Sequence, residues 1–438
     1  MLSFFGTIDW GALKPFWEVF WEFLKTWGWL ILLFILWKPF LFLWRWWRVE
    51  GWLKNVYKPI LLEIKIPKEI LKPVRAMEDV MNSIFGVIYH PPDWWETWID
   101  GQLLTSLSFE IVSIGGEIHF FIRVFEIYRD GVEAAIYAQY PEAEITIADD
   151  YTKAVPQDIP NKDWDFWATD YVLLKEDAYP ILTYKKFERE VEPVEEKRVD
   201  PVATLLEALA KIKPGQQFWI QITAKPVTSE ESKWIKKGEA LRDKLAKRPA
   251  KAEFKPMALE ALEVLITGKP PGPPPEKEEP IIPPEMKLTP GEREVVAAVE
   301  EKISKPGFQT NIRFIYLGKR DVFFKANLRL GFTYFNSYAT EHLNRLIPWG
   351  ATLTKIHKSW FLPLNLLVSR RTYLRKRKIF RNYVNRDTPL FPRAGGEFIL
   401  NIEELASLYH FPSWRVAPVP GLPRIEAKKG PPPELPVE

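Results

Sequence analysis

The strongest chemical signal in the sequence is a run of positive charge in residues 342–386. This stretch contains eleven lysine and arginine residues and no aspartate or glutamate, although the net charge of the whole chain is only +3. Eight of these cations lie in residues 369–386, where helical spacing places Tyr373, Phe380 and Tyr383 along one side and the cations on the rest. A helix face of one sign repels itself unless an anion lies nearby, so the pattern predicts a polyanionic partner.

Phosphate groups are the anions that suit such a helix, because lysine and arginine neutralise them in nucleic acids and in acidic lipid headgroups. The pattern is compatible with DNA, with RNA and with acidic lipid, and a solvated helix face is the plainer interpretation. If the aromatic side packs on the rest of the protein, the cations point outward. The residues predicted to bind the polyanion are Arg370, Arg371, Arg375, Lys376, Arg377, Lys378 and Arg381.

The chain lacks the motifs by which common enzymes are recognised. It has no Gly-x-x-x-x-Gly-Lys-Ser/Thr phosphate loop, no Gly-x-Ser-x-Gly nucleophile turn and no His-Glu-x-x-His metal motif. There is no cysteine, and the five histidines are too scattered for a short metal-binding pair. We therefore predict that the protein is not an enzyme, has no catalytic residue, cofactor or metal site, and does not hydrolyse nucleotides through a phosphate loop.

A cluster of acidic residues leaves one enzymatic alternative open. Carboxylates in loops usually form turns, cap helices or lie in solvent. An enzyme acting on lipid or envelope precursors would instead need one of them in a deep pocket with a perturbed pKa, whereas a binding platform would show flat sheet faces and a basic patch. The acidic residues concerned are Asp149, Asp150, Asp163, Asp165 and Asp170.

The elements that would position this chemistry begin with an apolar stretch near the N-terminus. Residues 27–44 are apolar except for Lys38, and at about 1.5 Å per residue a helix of this length covers roughly 27 Å, enough for a bilayer. Its flanks do not suit a cleaved signal peptide, and it lacks the polar face of a buried core helix. We predict an amphipathic helix in residues 1–26, which either lies on the membrane surface or extends the span outward, and a transmembrane helix in residues 27–48. The anchor residues are Trp27, Trp29, Lys38, Trp44, Arg45, Trp47 and Arg48.

The charges beside this stretch predict its orientation. More cations follow it closely than precede it, and the cytoplasmic flanks of membrane helices are enriched in lysine and arginine. The absence of cysteine also suits a cytoplasmic body. The expected localisation is therefore the cytoplasmic membrane, with a single pass and the body facing the cytoplasm.

Residues 58–152 show strand and helix periods in the order βαββαβ. Leu62, Ile64 and Ile66 alternate with polar residues, two later alternating runs are separated by a glycine pair, and two stretches have helical spacing. This order predicts a ferredoxin-like α+β domain, in which two helices cover one face of a four-stranded antiparallel sheet.

A second α+β domain of the same order is predicted in residues 165–412. It contains an insertion at 227–305, with a proline-rich linker at 268–288, and the basic helical segment at 363–388; a proline-rich tail follows at 413–438. A different α+β pairing of this half is an open alternative. Its strands are expected at 179–184, 217–225, 309–317 and 397–400, and its helices at 201–212 and 321–346.

The predicted fold class is therefore α+β, with an N-terminal transmembrane helix followed by tandem ferredoxin-like units. The second unit carries the long helical and proline-rich insertions.

Three stretches resemble a known group of proteins. They are residues 115–152 (GGEIHFFIRVFEIYRDGVEAAIYAQYPEAEITIADDYT), 398–413 (FILNIEELASLYHFPS) and 427–436 (AKKGPPPELP). They are similar to the region that precedes the motor in membrane-bound relatives of the HerA/FtsK and conjugative coupling ATPases of bacterial type IV secretion-like systems. The resemblance covers this accessory region, without the motor. It implies a platform for a DNA- or protein-translocating machine whose ATPase is another chain.

The function expected from these observations is that of a non-catalytic, membrane-anchored cytoplasmic platform or adaptor for DNA or protein translocation, as in type IV secretion or conjugation. The expected partners are the membrane, a separately encoded P-loop ATPase, nucleic acid or acidic lipid, and further copies of the chain. Two alternatives stay open at this point: a structural membrane scaffold that binds acidic lipids, and an enzyme acting on envelope precursors.

Overall fold

The computed structural model divides the chain into two compact units. The first consists of Met1–Lys58 with His90–Leu104, and the second of Pro59–Tyr89 with Thr105–Glu438. The predicted linker, apart from its last residue, and the predicted tail, apart from three residues, lie outside the part of the chain that is described. The residues described are 14–56, 58–67, 72–187, 200–227, 233–248, 288–356, 367–387, 395–412, 422 and 424–425.

The first unit is built on one long helix, α1 (Lys14–Val56), and a short π-helix at Glu96–Asp100. The helix is continuous from Lys14 through Pro39 to Val56, so residues 14–26 and 27–48 belong to one helix. Gly101 ends the π-helix with φ 77°, and a Cβ at this position would overlap the backbone of Arg48. Glycine is therefore required where the two elements meet.

The predicted transmembrane anchor is also wrong. Among the residues that the structure describes, no helix is both long enough and apolar enough to cross a bilayer. The length of residues 27–48 suits a span, but six of these residues are tryptophan, and Lys38 and Pro39 interrupt the apolar run. Tryptophan prefers the bilayer interface to its hydrocarbon interior, and lysine is costly there, so the stretch is less apolar than its length suggests. The predicted single-pass localisation in the cytoplasmic membrane is wrong for the same reason.

Three residues assigned to the anchor instead contact the π-helix itself. The Nε1 of Trp44 donates to the carbonyl oxygen of Trp98 at 2.9 Å, and Arg48 donates from Nε to the next carbonyl. The guanidinium of Arg45 lies 5.7 Å from the centre of the Trp98 ring. The side chains of Trp27, Lys38 and Trp47 are exposed, and that of Trp29 lies outside the described residues.

The second unit begins with six elements in the order βαββαβ, and they pair as β4-β1-β3-β2 in an antiparallel sheet. This strand order is that of the ferredoxin-like arrangement. A tight turn at Gly115–Gly116, with φ of 61° and 101°, joins β2 to β3. The elements are β1 (Pro59–Pro67), α2 (Arg75–Ile88), β2 (Leu107–Ile114), β3 (Glu117–Phe125), α3 (Arg129–Gln139) and β4 (Glu144–Ala148).

The rest of the second unit contributes a second set of strands, which pair antiparallel as β6-β7-β5-β8, with β9 on a free stretch of β7. A two-residue strand, β10 (Arg424–Ile425), pairs parallel with β1. The elements are β5 (Trp164–Leu173), α4 (Tyr184–Phe187), α5 (Pro201–Leu209), β6 (Gln216–Pro226), α6 (Trp234–Leu245), α7 (Pro290–Ser304), β7 (Gly307–Lys319), α8 (Leu328–Asn336), β8 (Leu346–Pro348), α9 (Val368–Asn385), β9 (Phe398–Asn401) and α10 (Ile402–Leu408).

The two predicted domains are one continuous sheet, because their edge strands pair. All eight residues of β2 lie opposite residues of β6, from Leu107 against Ala224 to Ile114 against Gln217. The predicted tandem of separate ferredoxin-like units is therefore wrong, and the structure is an α+β protein with one large, mainly antiparallel sheet.

Within the second half, two strands and one helix differ from the prediction. The strand expected at 179–184 is absent from these described residues, and β5 lies earlier, at Trp164–Leu173. The short strand β8 pairs with β5, whereas the predicted last strand forms β9 beside β7. The helix expected at 321–346 is confined to α8.

Both faces of the sheet are covered. One face packs against α2, α3, α5, α8 and α10 in the larger hydrophobic core. The opposite face, which we call the α9 face, packs against α9 and the loop at residues 149–163. Strand β7 shows the alternation, since Phe314 points into the larger core and Ile315 into the α9 face. The basic helix is thus an integral part of the fold.

Candidate polyanion-binding site

The helix α9 is held on the sheet by an apolar side of its own. Ile379, Phe380 and Tyr383 are buried, and the ring of Tyr383 lies 5.3 Å from that of Trp219. This packing turns the opposite side of the helix toward solvent. Tyr373, which the sequence placed on the packed side, is 46% exposed.

The C-terminal end of α9 is fixed by a buried ion pair. Arg386, the residue that follows the helix, donates from Nε and Nη2 to the two carboxylate oxygens of Glu110 at 3.0 and 3.2 Å. Its Nη1 donates to Asp150 Oδ2 at 2.7 Å. The hydroxyl of Tyr151 bridges Glu110 and Tyr383, at 2.8 Å from each. Arg386 has φ 61°, an uncommon conformation that these charge-assisted bonds help to maintain.

The two carboxylates of this cluster remain ionised for a clear reason. Burial alone would raise the pKa of Glu110, but the charge and hydrogen bonds of Arg386 outweigh it and hold the pKa below its ordinary value. The same two effects compete at Asp150, and its pKa is also lowered. Lowered values are the opposite of what a catalytic acid requires. The cluster is therefore structural in character.

A row of polar residues continues from this cluster across four neighbouring strands. The row consists of Glu110 on β2, Gln221 on β6, Arg313 on β7 and Asp170 on β5. Each residue lies opposite the next in the strand pairing, and all four are fully buried on the α9 face. Gln221 donates to Glu110 at 2.9 Å, and Arg313 donates from Nε to Asp170 Oδ1 at 2.9 Å. Arg313 also donates to the carbonyl of Asp387 at 2.6 Å, just beyond α9. The row thus holds the end of the basic helix.

Two of the predicted contact residues have partners inside the protein. Arg375 donates to the carbonyl oxygen of Leu353 at 2.9 Å. Lys376 forms an ion pair with Asp165, with a distance of 2.5 Å between Nζ and Oδ1, and lies over the Phe166 ring. These two cations fasten the middle of α9 to the loop after β8 and to β5, and they are poorly placed for a ligand.

The other predicted contacts lie on the outer side of α9. Arg377, Lys378 and Arg381 line an open groove of about 580 Å³, and Arg370 and Arg371 are exposed one to two turns earlier. No acidic side chain lines the groove, and among the described residues none forms an ion pair with Arg370, Arg371, Arg377 or Arg381. The groove is lined by Gln157, Leu374, Arg377, Lys378, Phe380, Arg381, Val384 and Asn385.

Neighbouring cations of α9 act on one another. Burial lowers the pKa of Lys378, and the neighbouring charge of Arg381 lowers it further. Burial likewise lowers the pKa of Arg375, with a contribution from Arg371. Like charges therefore lie close together along α9, which favours the binding of an anion.

The acidic residues of the enzymatic alternative are mainly engaged in this framework. Asp150, Asp165 and Asp170 each form an ion pair with an arginine or lysine, as described above. Within the described ranges, no group of three or more metal-ligating side chains comes together. These carboxylates position α9 and do not converge on a pocket of their own.

Sequence reasoning missed the buried residues that hold the helix. Arg313 and Asp170 are fully buried and lie more than 140 positions apart in the chain. One signal was present, because Arg313 is a single cation within the apolar strand sequence NIRFIYL. Such a residue inside a strand that is covered on both faces requires a buried partner.

The protein is thus an α+β structure with one large sheet, and one face of this sheet carries a basic helix and an open cationic groove. The chain belongs to a family described as a domain of unknown function (DUF8128), which matches residues 96–417. The match covers more than half of the chain and includes α9, the groove and the buried polar row. No curated protein matches the chain.

Proposed function

We propose that this protein is a non-catalytic platform that binds the phosphate backbone of nucleic acid through the outer side of α9. The single observation that carries the proposal is the open groove lined by Arg377, Lys378 and Arg381, which has no acidic residue in its lining. Arginine and lysine bound to phosphate release condensed counterions, which supplies sequence-independent affinity.

The packing of α9 favours nucleic acid over acidic lipid as the source of phosphate. A helix that binds a membrane surface inserts its apolar side into the headgroup region. In α9 that side consists of Ile379, Phe380 and Tyr383, which are buried against the sheet. The outer side presents mostly cations, which suits a charged backbone.

The resemblance to accessory regions of translocation ATPases supports a second part of the proposal. The protein would act as an adaptor in DNA or protein translocation, beside a P-loop ATPase encoded separately, and further copies of the chain would extend the basic surface. The resemblance includes residues 115–152, which contain β3, α3 and β4, and residues 398–413, which contain β9 and α10. This surface would guide the nucleic acid, and the partner would supply the motor.

The test compares full-length protein with a variant in which Arg370, Arg371, Arg377 and Arg381 are all replaced by glutamine. Binding to fluorescent single-stranded and duplex oligonucleotides is measured by anisotropy at one fixed salt concentration. We expect the variant to bind both at least tenfold more weakly. A control that replaces four exposed lysines elsewhere removes the same charge and should bind nearly as well as the wild type. Equal losses in variant and control, or no binding by the wild type, would overturn the proposal. The control positions are Lys211, Lys213, Lys236 and Lys244.

A further inference from the structure

Two large side chains with apolar surface, Tyr373 and Leu374, lie exposed on α9 directly beside cations of the groove. Tyr373 is 46% exposed and Leu374 is 55% exposed. Each precedes a groove cation by four residues, Tyr373 before Arg377 and Leu374 before Lys378. Residues four apart are neighbours on a helix surface, with about 5–6 Å between Cβ atoms. A small apolar area is thus placed within the cationic stripe.

We infer that the groove binds single-stranded nucleic acid, with unpaired bases resting on Tyr373 and Leu374 while the phosphates meet the cations. This inference rests on the proposed function. Grooves for single strands combine positive charge along the backbone with aromatic side chains on which bases stack. Tyr373 supplies such a ring, and Leu374 adds an apolar contact beside it. In a duplex the base faces are hidden within the stack, so these two residues would have nothing to contact.

The position of Leu374 supports recognition of bases and phosphates in the same groove. It belongs to the groove lining together with Arg377 and Lys378, so apolar and charged contacts face the same space. One wall of this space is firmly built, because the amide nitrogen of Gln157 donates to the carbonyl oxygens of Thr152 and Val155 at 2.7 and 3.0 Å. A ligand there meets a rigid wall, an apolar patch and three cations.

The apolar patch is too small for a membrane-binding surface. An interfacial helix buries a whole apolar side, whereas here that side is already packed against the sheet. Two exposed side chains match one or two bases better than a bilayer. The cations at Arg370 and Arg381 flank the patch along the helix, as a backbone that continues in both directions requires.

The experiment uses full-length protein in which Tyr373 and Leu374 are both replaced by alanine. Dissociation constants are measured for a single-stranded oligonucleotide and for a duplex of the same length. The wild type should prefer the single strand, and the variant should lose at least about fivefold in affinity for it, because base stacking contributes about 1–3 kcal/mol per base. Its salt dependence should stay unchanged, since no phosphate contact is removed. Tyr373→Phe keeps the ring and should bind like the wild type.

A matched control replaces Leu174 and Phe324, an exposed leucine and an exposed aromatic residue outside α9, with alanine. It should bind normally. Equal affinity of the wild type for duplex and single strand, or an alanine variant that binds the single strand normally, would overturn the inference while leaving the proposed function intact. A loss of binding to anionic lipid vesicles without a loss for the single strand would also overturn it. Failure of the proposed function has a different signature, the absence of salt-dependent binding to either nucleic acid.

Discussion

Arg386 and Glu110 form a buried bidentate ion pair that joins the end of α9 to the middle of the sheet, with donor–acceptor distances of 3.0 and 3.2 Å. The two residues lie 276 positions apart in the chain. The guanidinium of Arg386 is buried and bound by Glu110 and Asp150, so it cannot bind a ligand. Because this pair holds the end of α9 against the sheet, the opposite side of the helix faces solvent. The position of the candidate site therefore depends on this contact.

Replacing Glu110 with alanine should destabilise the protein strongly. Removal of one partner from a buried ion pair leaves the other charge without compensation, which typically costs about 3–5 kcal/mol. Urea unfolding followed by tryptophan fluorescence measures the change. Glu207→Ala, at an exposed position of α5, is the control and should alter the free energy of unfolding by less than about 0.5 kcal/mol. Comparable effects of both substitutions would show that the pair does not hold the fold.

The ion pairs of Arg386 also predict how stability depends on pH. Folding lowers the pKa of Glu110 and of Asp150 from ordinary values near 4.5 and 3.8. As the pH falls, these two carboxylates take up protons in the unfolded chain before they do so in the folded protein. The stability that their ionised forms contribute is therefore present at neutral pH and is lost as the pH falls through the lowered folded-state pKa values. Asp150→Asn should therefore flatten the fall of unfolding free energy between about pH 5 and about pH 3. The exposed neighbour variant Asp149→Asn should keep the steepness of the wild type, and a flattened curve in it would contradict the assignment.

The sequence indicated the elements of the first half of the sheet well, for a physical reason. Strands β1, β2 and β3 alternate apolar with polar residues, and helices α2 and α3 repeat at helical spacing, so local pattern alone identifies them. Strand β5 was missed because it is buried on both faces. Its Asp170 looks like a loop residue, yet its charge is matched by Arg313 from β7. A partner so distant in the chain leaves no local signal.

The pairing of β2 with β6 was equally invisible. The alternating sequence of each strand suits an inner position in a sheet as well as an edge position. Only the folded structure shows that β2 and β6 pair. The candidate site shows the same limit. Helical spacing identified the basic helix within a few residues of its true ends. It could not reveal that Arg375 and Lys376 are engaged by Leu353 and Asp165, because these partners lie elsewhere in the chain.

Substitutions at two adjacent cations of α9 should affect stability and nucleic-acid binding separately. Lys376 pairs with Asp165, so Lys376→Gln should lower the free energy of unfolding by about 1–3 kcal/mol, the range for a bond between charged groups. It should leave the salt dependence of nucleic-acid binding unchanged. Arg377→Gln should do the reverse, with little effect on stability and a weaker salt dependence. Chemical unfolding and anisotropy titrations on the same two samples provide the comparison, and identical behaviour of the two variants would contradict the assignment of roles.

Gly101 predicts the behaviour of the first unit. Alanine at this position would need φ 77° and would overlap the backbone of Arg48. Gly101→Ala should therefore weaken the packing of Glu96–Asp100 on α1, by roughly 1–3 kcal/mol for a strained conformation. Hydrogen exchange followed by mass spectrometry should show faster exchange in that segment. Gly86→Ala, at an open position of α2, is the control and should leave hydrogen exchange in Glu96–Asp100 unchanged. Unaltered exchange in Gly101→Ala would refute the requirement for glycine.

If the outer cations of α9 bind phosphate, the salt dependence of nucleic-acid binding shows it most directly. The logarithm of the affinity of full-length protein for a single-stranded oligonucleotide is measured against the logarithm of salt concentration. Each phosphate neutralised contributes about −0.7 to this slope. Replacing Arg370, Arg371, Arg377 and Arg381 with glutamine should flatten the slope by about two to three, whereas the lysine control variant described above should keep the slope of the wild type. Identical slopes for all three proteins would contradict the claim.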